Sequence, residues 1–369
     1  MIDPVKILQR AWHILWNYRT LWAFGLILAL VTAGGSSGNG GNNSMQWREE
    51  GRTPPQFENA PKSWEEFTQQ MQNIFSEGIP EWGVSGEALT AFLWTIGAFI
   101  VFMFLVSILV SIAYYVSVTS VIRMVNEYEN TGTKLSMREG FRIGWSRAAW
   151  RAFLINLIVN LPGLLFFLAL LIVGVSLFVA FANNNLNFTP VTIVALIGLV
   201  FLGIFLVIVL SFILGALRPF FWRVAILEEA GVRESLRRGF AMVRENWKSV
   251  GLMWLVMIGL GIAWAIVSLL AALLTLPIVL ITSLVAAAVV AIPGLLLVGL
   301  FSLFLVGPLP WIAAGLFVLP LFFLIAFSPW LLLGSWQTVF TSTVWTLTYR
   351  EIKALPTLIV PTDLEPVGD

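Results

Sequence analysis

The sequence predicts an all-α integral membrane bundle of six transmembrane helices, and three observations carry that prediction. Apolar residues make up 59% of the 369-residue chain and charged residues only 11%, against roughly 25% charged in soluble domains. The charge is also bunched: no Asp, Glu, Lys or Arg occurs in the 101 residues between Lys248 and Arg350. A bilayer explains such a stretch, because a charge at its centre costs about 2.5–3.5 kcal/mol even on the lenient insertion scale. Finally, one amphipathic pattern recurs three times, each copy just ahead of an apolar run that reads as a membrane span.

The three copies divide a single membrane domain, residues 1–353, into repeats over about 3–127, 136–224 and 231–353. Each opens on a helix start signal. Asp3 precedes Pro4, a favoured first helical residue. Ser136 and Glu139 have the spacing of a capping box. Gly231 and Glu234 keep that spacing with a glycine cap. Counted from the cap, the same four positions hold Leu8, Ala11, Trp12 and Leu15, then Phe141, Gly144, Trp145 and Ala148, then Leu236, Gly239, Phe240 and Val243. The spacing i, i+3, i+4, i+7 predicts one apolar face of a helix, with a small residue directly before an aromatic. Lys and Arg rim each copy, so each reads as an interfacial helix.

Each interfacial helix leads into an out-and-back hairpin. The first pair of spans is Thr20 to about Ala33 and about Ala88 to Val121. The second is about Ala152–Ala182 and Val191–Leu217. The third is about Val250–Leu276 and Trp311–Thr348. The returning helices end alike, at Tyr115 to Arg123, at Phe220-Phe221-Trp222-Arg223 and at Tyr349-Arg350, each followed by Glu. Two insertions interrupt the pattern. Residues 34–87 form an external segment with a Gly/Ser/Asn linker and a predicted amphipathic helix capped by Ser63 and Glu66. Residues 277–310 are apolar and punctuated by Pro277, Pro293-Gly294 and Pro308, which reads as a re-entrant or interfacial pair broken at Pro293-Gly294. The rival reading makes that stretch two further crossings, eight in all. Residues 354–369 are a cytoplasmic tail.

Charge between the spans sets the orientation. Segments 1–20, 123–151 and 218–248 carry three, six and seven Lys/Arg against one, three and four acids, whereas 34–87 carries three basic and eight acidic residues. The positive-inside rule places the basic segments, and both termini, in the cytoplasm.

Candidates for chemistry are few. The chain has no cysteine and one histidine, His13, which excludes disulfides and thiol catalysis and leaves no set for a histidine metal site. No nucleotide-binding, zinc-protease or hydrolase motif is present, so no catalytic, metal or cofactor site is predicted. The net charge of +1 gives no basic field for nucleic acid. Glu228-Glu229 beside basic helix ends predict ion pairs. Asn156 and Asn160, four apart before Pro162, predict either hydrogen bonds to neighbouring helices or a polar pocket on a substrate path. The basic rims supply lipid-headgroup candidates: Arg138, Arg142, Arg147, Arg233, Arg237, Arg238 and Lys248. Near an anionic surface each contributes about 1 kcal/mol. The plainer reading is that they only set topology.

The stretch Ala225 to Lys248, the Trp12 to Phe24 opening and the closing Thr348-Tyr349-Arg350-Glu351 resemble the glycerophosphoryl diester phosphodiesterase membrane-domain family and its uncharacterised prokaryotic relatives. The resemblance implies a helical bundle in a bacterial or archaeal plasma membrane. It carries over no activity, because the phosphodiesterase chemistry of such fusions resides in a separate barrel with paired histidines, and this chain has one. The functional expectation is a non-enzymatic membrane module that binds anionic lipid or another membrane protein. The alternative is a transporter or permease for a small or amphipathic solute.

Overall fold

The computed structural model describes residues 2–34, 69, 86–182 and 190–359, and all regular structure among them is helical. The predicted external helix near Ser63 and the end of the tail lie outside the described residues. Three short helices recur at the expected places. The first is α1 (Pro4–Asn17), followed by α2 (Thr20–Gly34) and α3 (Gly86–Thr131). Then α4 (Met137–Gly144) leads into α5 (Arg147–Ala182) and α6 (Pro190–Leu227). Last, α7 (Val232–Glu245) leads into α8 (Trp247–Phe301), α9 (Leu309–Ala326) and α10 (Ser328–Ile359).

The caps form as their side chains dictate. The Asp3 carboxylate accepts from the amides of Val5 and Lys6, Ser136 and Glu139 close a full capping box, and Gly231 caps α7 without a side-chain bond. Each short helix then breaks before the long one: at Tyr18-Arg19, where the chain turns by 100°, at Trp145-Ser146, and at Asn246. α4 has 8 residues against 14 in α1 and α7. It carries two glycines, Gly140 and Gly144, and glycine costs a helix up to about 1 kcal/mol relative to alanine. Its break therefore falls early, and Ala148 of the predicted stripe lies on α5.

The stripe itself divides in a way that spacing alone did not predict. The small residue is buried each time: Ala11, Gly144 and Gly239. The aromatic after it is exposed each time: Trp12, Trp145 and Phe240. The small residue lets the short helix close onto a returning helix. A Cβ on Gly144 would meet the Ser120 hydroxyl and sit 2.6 Å from the Val116 carbonyl, and one on Gly239 would sit 2.6 Å from the Phe221 ring. The outward aromatic is left for whatever surrounds the bundle.

Among the described residues five helices are long and apolar enough to cross a membrane, namely α3, α5, α6, α8 and α9, and the bent α1–α2 pair makes six if it counts as one. The expected return span over Trp311–Thr348 is cut at Phe327. Its most apolar part is α9, while α10 starts anew with Pro329 in its first turn, where a missing N–H is harmless. The predicted break at Pro293-Gly294 is not observed. α8 runs unbroken through Pro277 and Pro293 to Phe301, 55 residues in all, as apolar helices allow when neighbours satisfy the freed carbonyls. The turn comes later, at 302–308, where Gly307 takes a φ of +64°.

Packing is concentrated at one end. The largest core joins Ile7, Ile14, Tyr18, Leu21, Phe24, Ile122, Met124, Ala152, Phe220, Met253, Val344 and Tyr349, that is, the short helices and the returning ends. Away from this base most of the described apolar side chains of the α5–α6 hairpin are exposed. Gly144→Ala should therefore lower the melting temperature in detergent, by the equivalent of about 1–3 kcal/mol of overpacking. Gly251→Ala, where an added Cβ meets nothing within 4 Å, should leave it unchanged or raise it. Equal melting temperatures would refute the close approach.

Candidate functional site

At the base, the three returning helices are tied into a closed ring by one arginine each. Arg123 of α3 donates to the Ile226 carbonyl of α6 at 3.3 Å, and also to Ile143 at 3.2 Å. Arg223 of α6 donates to the Ser342 carbonyl of α10 at 2.8 Å. Arg350 of α10 returns to α3, donating to the Asn126 side chain at 2.5 Å and its carbonyl at 3.2 Å. Ile143 and Ile226 lie in the last turns of α4 and α6, where carbonyls lack intrahelical partners and a cation suits the helix dipole. Arg223 is the extreme case, 3% exposed, with its second donor on the Pro219 carbonyl at 2.7 Å and its Nε without a partner.

Acids bind the short helices to this ring. Glu228 accepts from Tyr349 at 2.6 Å, Lys353 at 2.7 Å and Arg238 at 3.3 Å. Burial pushes its carboxyl up, but the bonds from Lys353, Tyr349 and Arg238 outweigh that and hold it below the ordinary range. Glu229, in the left-handed region with φ 52°, accepts from Arg123 at 2.8 Å, and its carbonyl accepts from Arg151. Arg10 of α1 bridges Glu129 of α3 and Glu351 of α10. The Tyr18 hydroxyl joins the first elbow to the α3–α4 link through both backbone groups of Leu135.

The headgroup candidates fall into two groups. Arg237 pairs with Glu234, and Arg238 pairs with Glu234 and Glu228. Arg138, Arg142, Arg147, Arg233 and Lys248 are exposed, and none has a carboxylate within ion-pair distance among the described residues. Lys248 instead lies over the Trp247 ring at 5.8 Å. Around the α4–α5 elbow the three arginines share the surface with exposed Phe141, Trp145 and Trp150. The residue types there are those of a lipid interface: cations for phosphate, indoles for the headgroup boundary.

The asparagine pair separates. Asn156 is half-buried, donates to the Tyr115 hydroxyl at 2.8 Å and accepts from Arg218 at 3.1 Å, joining α5 to α3 and α6. Asn160 is exposed and, among the described residues, bonds only the Asn156 carbonyl of its own helix. The two do not form one polar pocket. His13 is exposed and bonds the Asn17 side chain. What the sequence analysis missed is the work of Arg123, Arg223 and Arg350. Their shared position after an aromatic was visible, but their cross-helix carbonyl partners depend on tertiary contacts.

Because the Glu228 carboxyl is held low, its contribution to stability is present above the ordinary carboxylate range. It should fade as the pH falls through and below that range. The melting temperature of the native chain should drop there more steeply than that of Glu228→Gln. Parallel pH profiles would show that Glu228 adds nothing.

A protein-family model described as "Family of unknown function (DUF7544)" matches residues 9–344, from within α1 to within α10. Neither a curated protein nor a solved structure matches the chain. By a match that spans all three units, this multi-pass helical membrane protein belongs to the DUF7544 family of unknown function.

Proposed function

We propose that the chain is a non-enzymatic module of a prokaryotic plasma membrane, with both termini cytoplasmic, whose inner-face elbows hold anionic lipid headgroups. One observation carries the reading. At the α4–α5 elbow Arg138, Arg142 and Arg147 have no carboxylate at ion-pair distance among the described residues and stand among outward aromatics. An exposed guanidinium outside an ion pair keeps most of its attraction for phosphate, Arg142 being partly offset by the nearby Glu139 carboxylate, and Arg pairs with phosphate oxygens bidentately. The basic segments on one side of the membrane support the cytoplasmic placement. The likeness of residues 225–248 to glycerophosphoryl diester phosphodiesterase membrane domains supports the prokaryotic membrane. A partner protein with an acidic face is the competing ligand for the same elbow. The permease reading has less behind it, since Asn160 does not join Asn156 in a polar path.

The reading ranks the elbows. Purified from anionic membranes and analysed by lipid mass spectrometry, the Arg138→Gln, Arg142→Gln, Arg147→Gln triple variant should lose anionic lipid about tenfold or more. That is within the roughly 1 kcal/mol per cation expected near a charged surface. Arg237→Gln with Arg238→Gln should lose little, because those cations are already paired within the protein. Undiminished anionic lipid in the triple variant would sink the proposal.

A further inference from the structure

The arm formed by α8 and α9 is too long for an upright crossing. At 1.5 Å per residue α8 measures about 80 Å, against roughly 30 Å of bilayer hydrocarbon. Its outer half and α9 carry no charge and offer no polar face: Leu284, Leu296 and Leu303 are 66%, 70% and 79% exposed, and Ile278, Ile281, Ile292 and Leu324 are exposed beside them. Each such side chain left in water forgoes about 1.5–3 kcal/mol, so an apolar phase must cover the arm. A helix lying on the membrane surface keeps one polar face among the headgroups, and this arm has none.

Contacts limit where the arm can lie. At the foot of α8, Trp254 meets Trp345 of α10 at 6.1 Å, and a little further along α10 Arg350 holds Asn126 of α3. The foot is therefore level with about Val121 of α3. At the far end Phe301, Leu305 and Leu309 share a core with Leu89 and Phe92, near the start of α3. Phe317 of α9 lies 5.0 Å from Phe99 of α3. Between these two levels α3 uses about 44 Å of helix and α8 about 70 Å. An upright α8 would overshoot the level of Phe92 by roughly 25 Å. Because the two meet, α8 leans or bends across α3, and the tip stays within about one bilayer, 40–45 Å with headgroups. Pro277 and Pro293 are inside α8, and proline is where helices bend.

We propose that the outer half of α8 and α9, about residues 277–326, form an oblique hairpin inside the half of the bilayer remote from the elbows. The hairpin is braced on α3, and its free surface is immersed in lipid acyl chains. This rests on the membrane embedding and not on the headgroup reading. Lipid is favoured over a second copy because a neighbouring protein would cover one side of a hairpin that is apolar on every side.

The chain has no cysteine, so single labels can be introduced without background. Nitroxides at Leu284→Cys, Leu296→Cys and Leu303→Cys, in proteoliposomes of the full chain, should collide readily with oxygen and rarely with a water-soluble nickel chelate. Lys134→Cys, at an exposed position between α3 and α4, gives the aqueous reference. The depths at 284 and 296 should differ by well under the ~18 Å of an upright helix. Free access of the chelate would mean water and overturn the proposal. Low access of both reagents would mean a protein partner and overturn it too, and a depth difference near ~18 Å would overturn the oblique placement. Leu280→Cys and Leu295→Cys, also exposed, replace any variant that fails to fold.

Discussion

Three arginines carry the joint on which the architecture depends. Arg123, Arg223 and Arg350 each leave a returning helix and donate to the backbone of the next, α3 to α6, α6 to α10 and α10 back to α3. A neutral hydrogen bond contributes about 1 kcal/mol net and a charged donor somewhat more. Leaving such a donor buried and unpaired costs more than the bond contributes. A closed ring therefore holds in two ways: its bonds stabilise it, and opening it at the buried Arg223 strands a guanidinium. The constraint is strongest at Arg223, which is 3% exposed and has no access to water as a substitute partner.

Around that ring, each repeat uses its small-then-aromatic pair for two opposite purposes. Ala11, Gly144 and Gly239 turn inward, and the two glycines set the distance from short helix to returning helix. Trp12, Trp145 and Phe240 turn outward. One dipeptide thus fixes the short helix to the bundle and presents an anchor to the surroundings. The repeats differ in their cations. In the third, Arg237 and Arg238 are taken up by Glu234 and Glu228, whereas in the second Glu139 is engaged by Ser136 in the capping box. Related sequences thereby yield a third elbow with two of its cations, Arg237 and Arg238, already paired, and a second whose three candidate arginines have no ion pair among the described residues, and the proposed headgroup binding follows from that difference.

Much of this was legible in the sequence because it is written locally. Caps at Asp3, Ser136 and Gly231, the apolar runs and the charge-free stretch after Lys248 each depend on neighbours within a turn or two of helix, and the structure has them where the sequence predicts. The features misread depend on distant partners. Pro293-Gly294 looks like a break, but α8 carries through it. The two asparagines share a helix spacing, yet only Asn156 faces Tyr115 and Arg218. The aromatic positions match a buried stripe in periodicity, and only packing against α3, α6 and α10 reveals that they point out. The ring arginines read as ordinary inner-face charge until the helices they reach are known.

The central claim is that the three returning ends form one cooperative unit, which amide hydrogen exchange of Arg123→Gln in lipid tests directly. Arg123 bonds α4 and α6 but not α10. If the ring is closed, exchange should rise not only near Ile143 and Ile226 but also at residues 342–352 of α10. A rise confined to the ends of α4 and α6, with α10 as protected as in the native chain, would contradict the account.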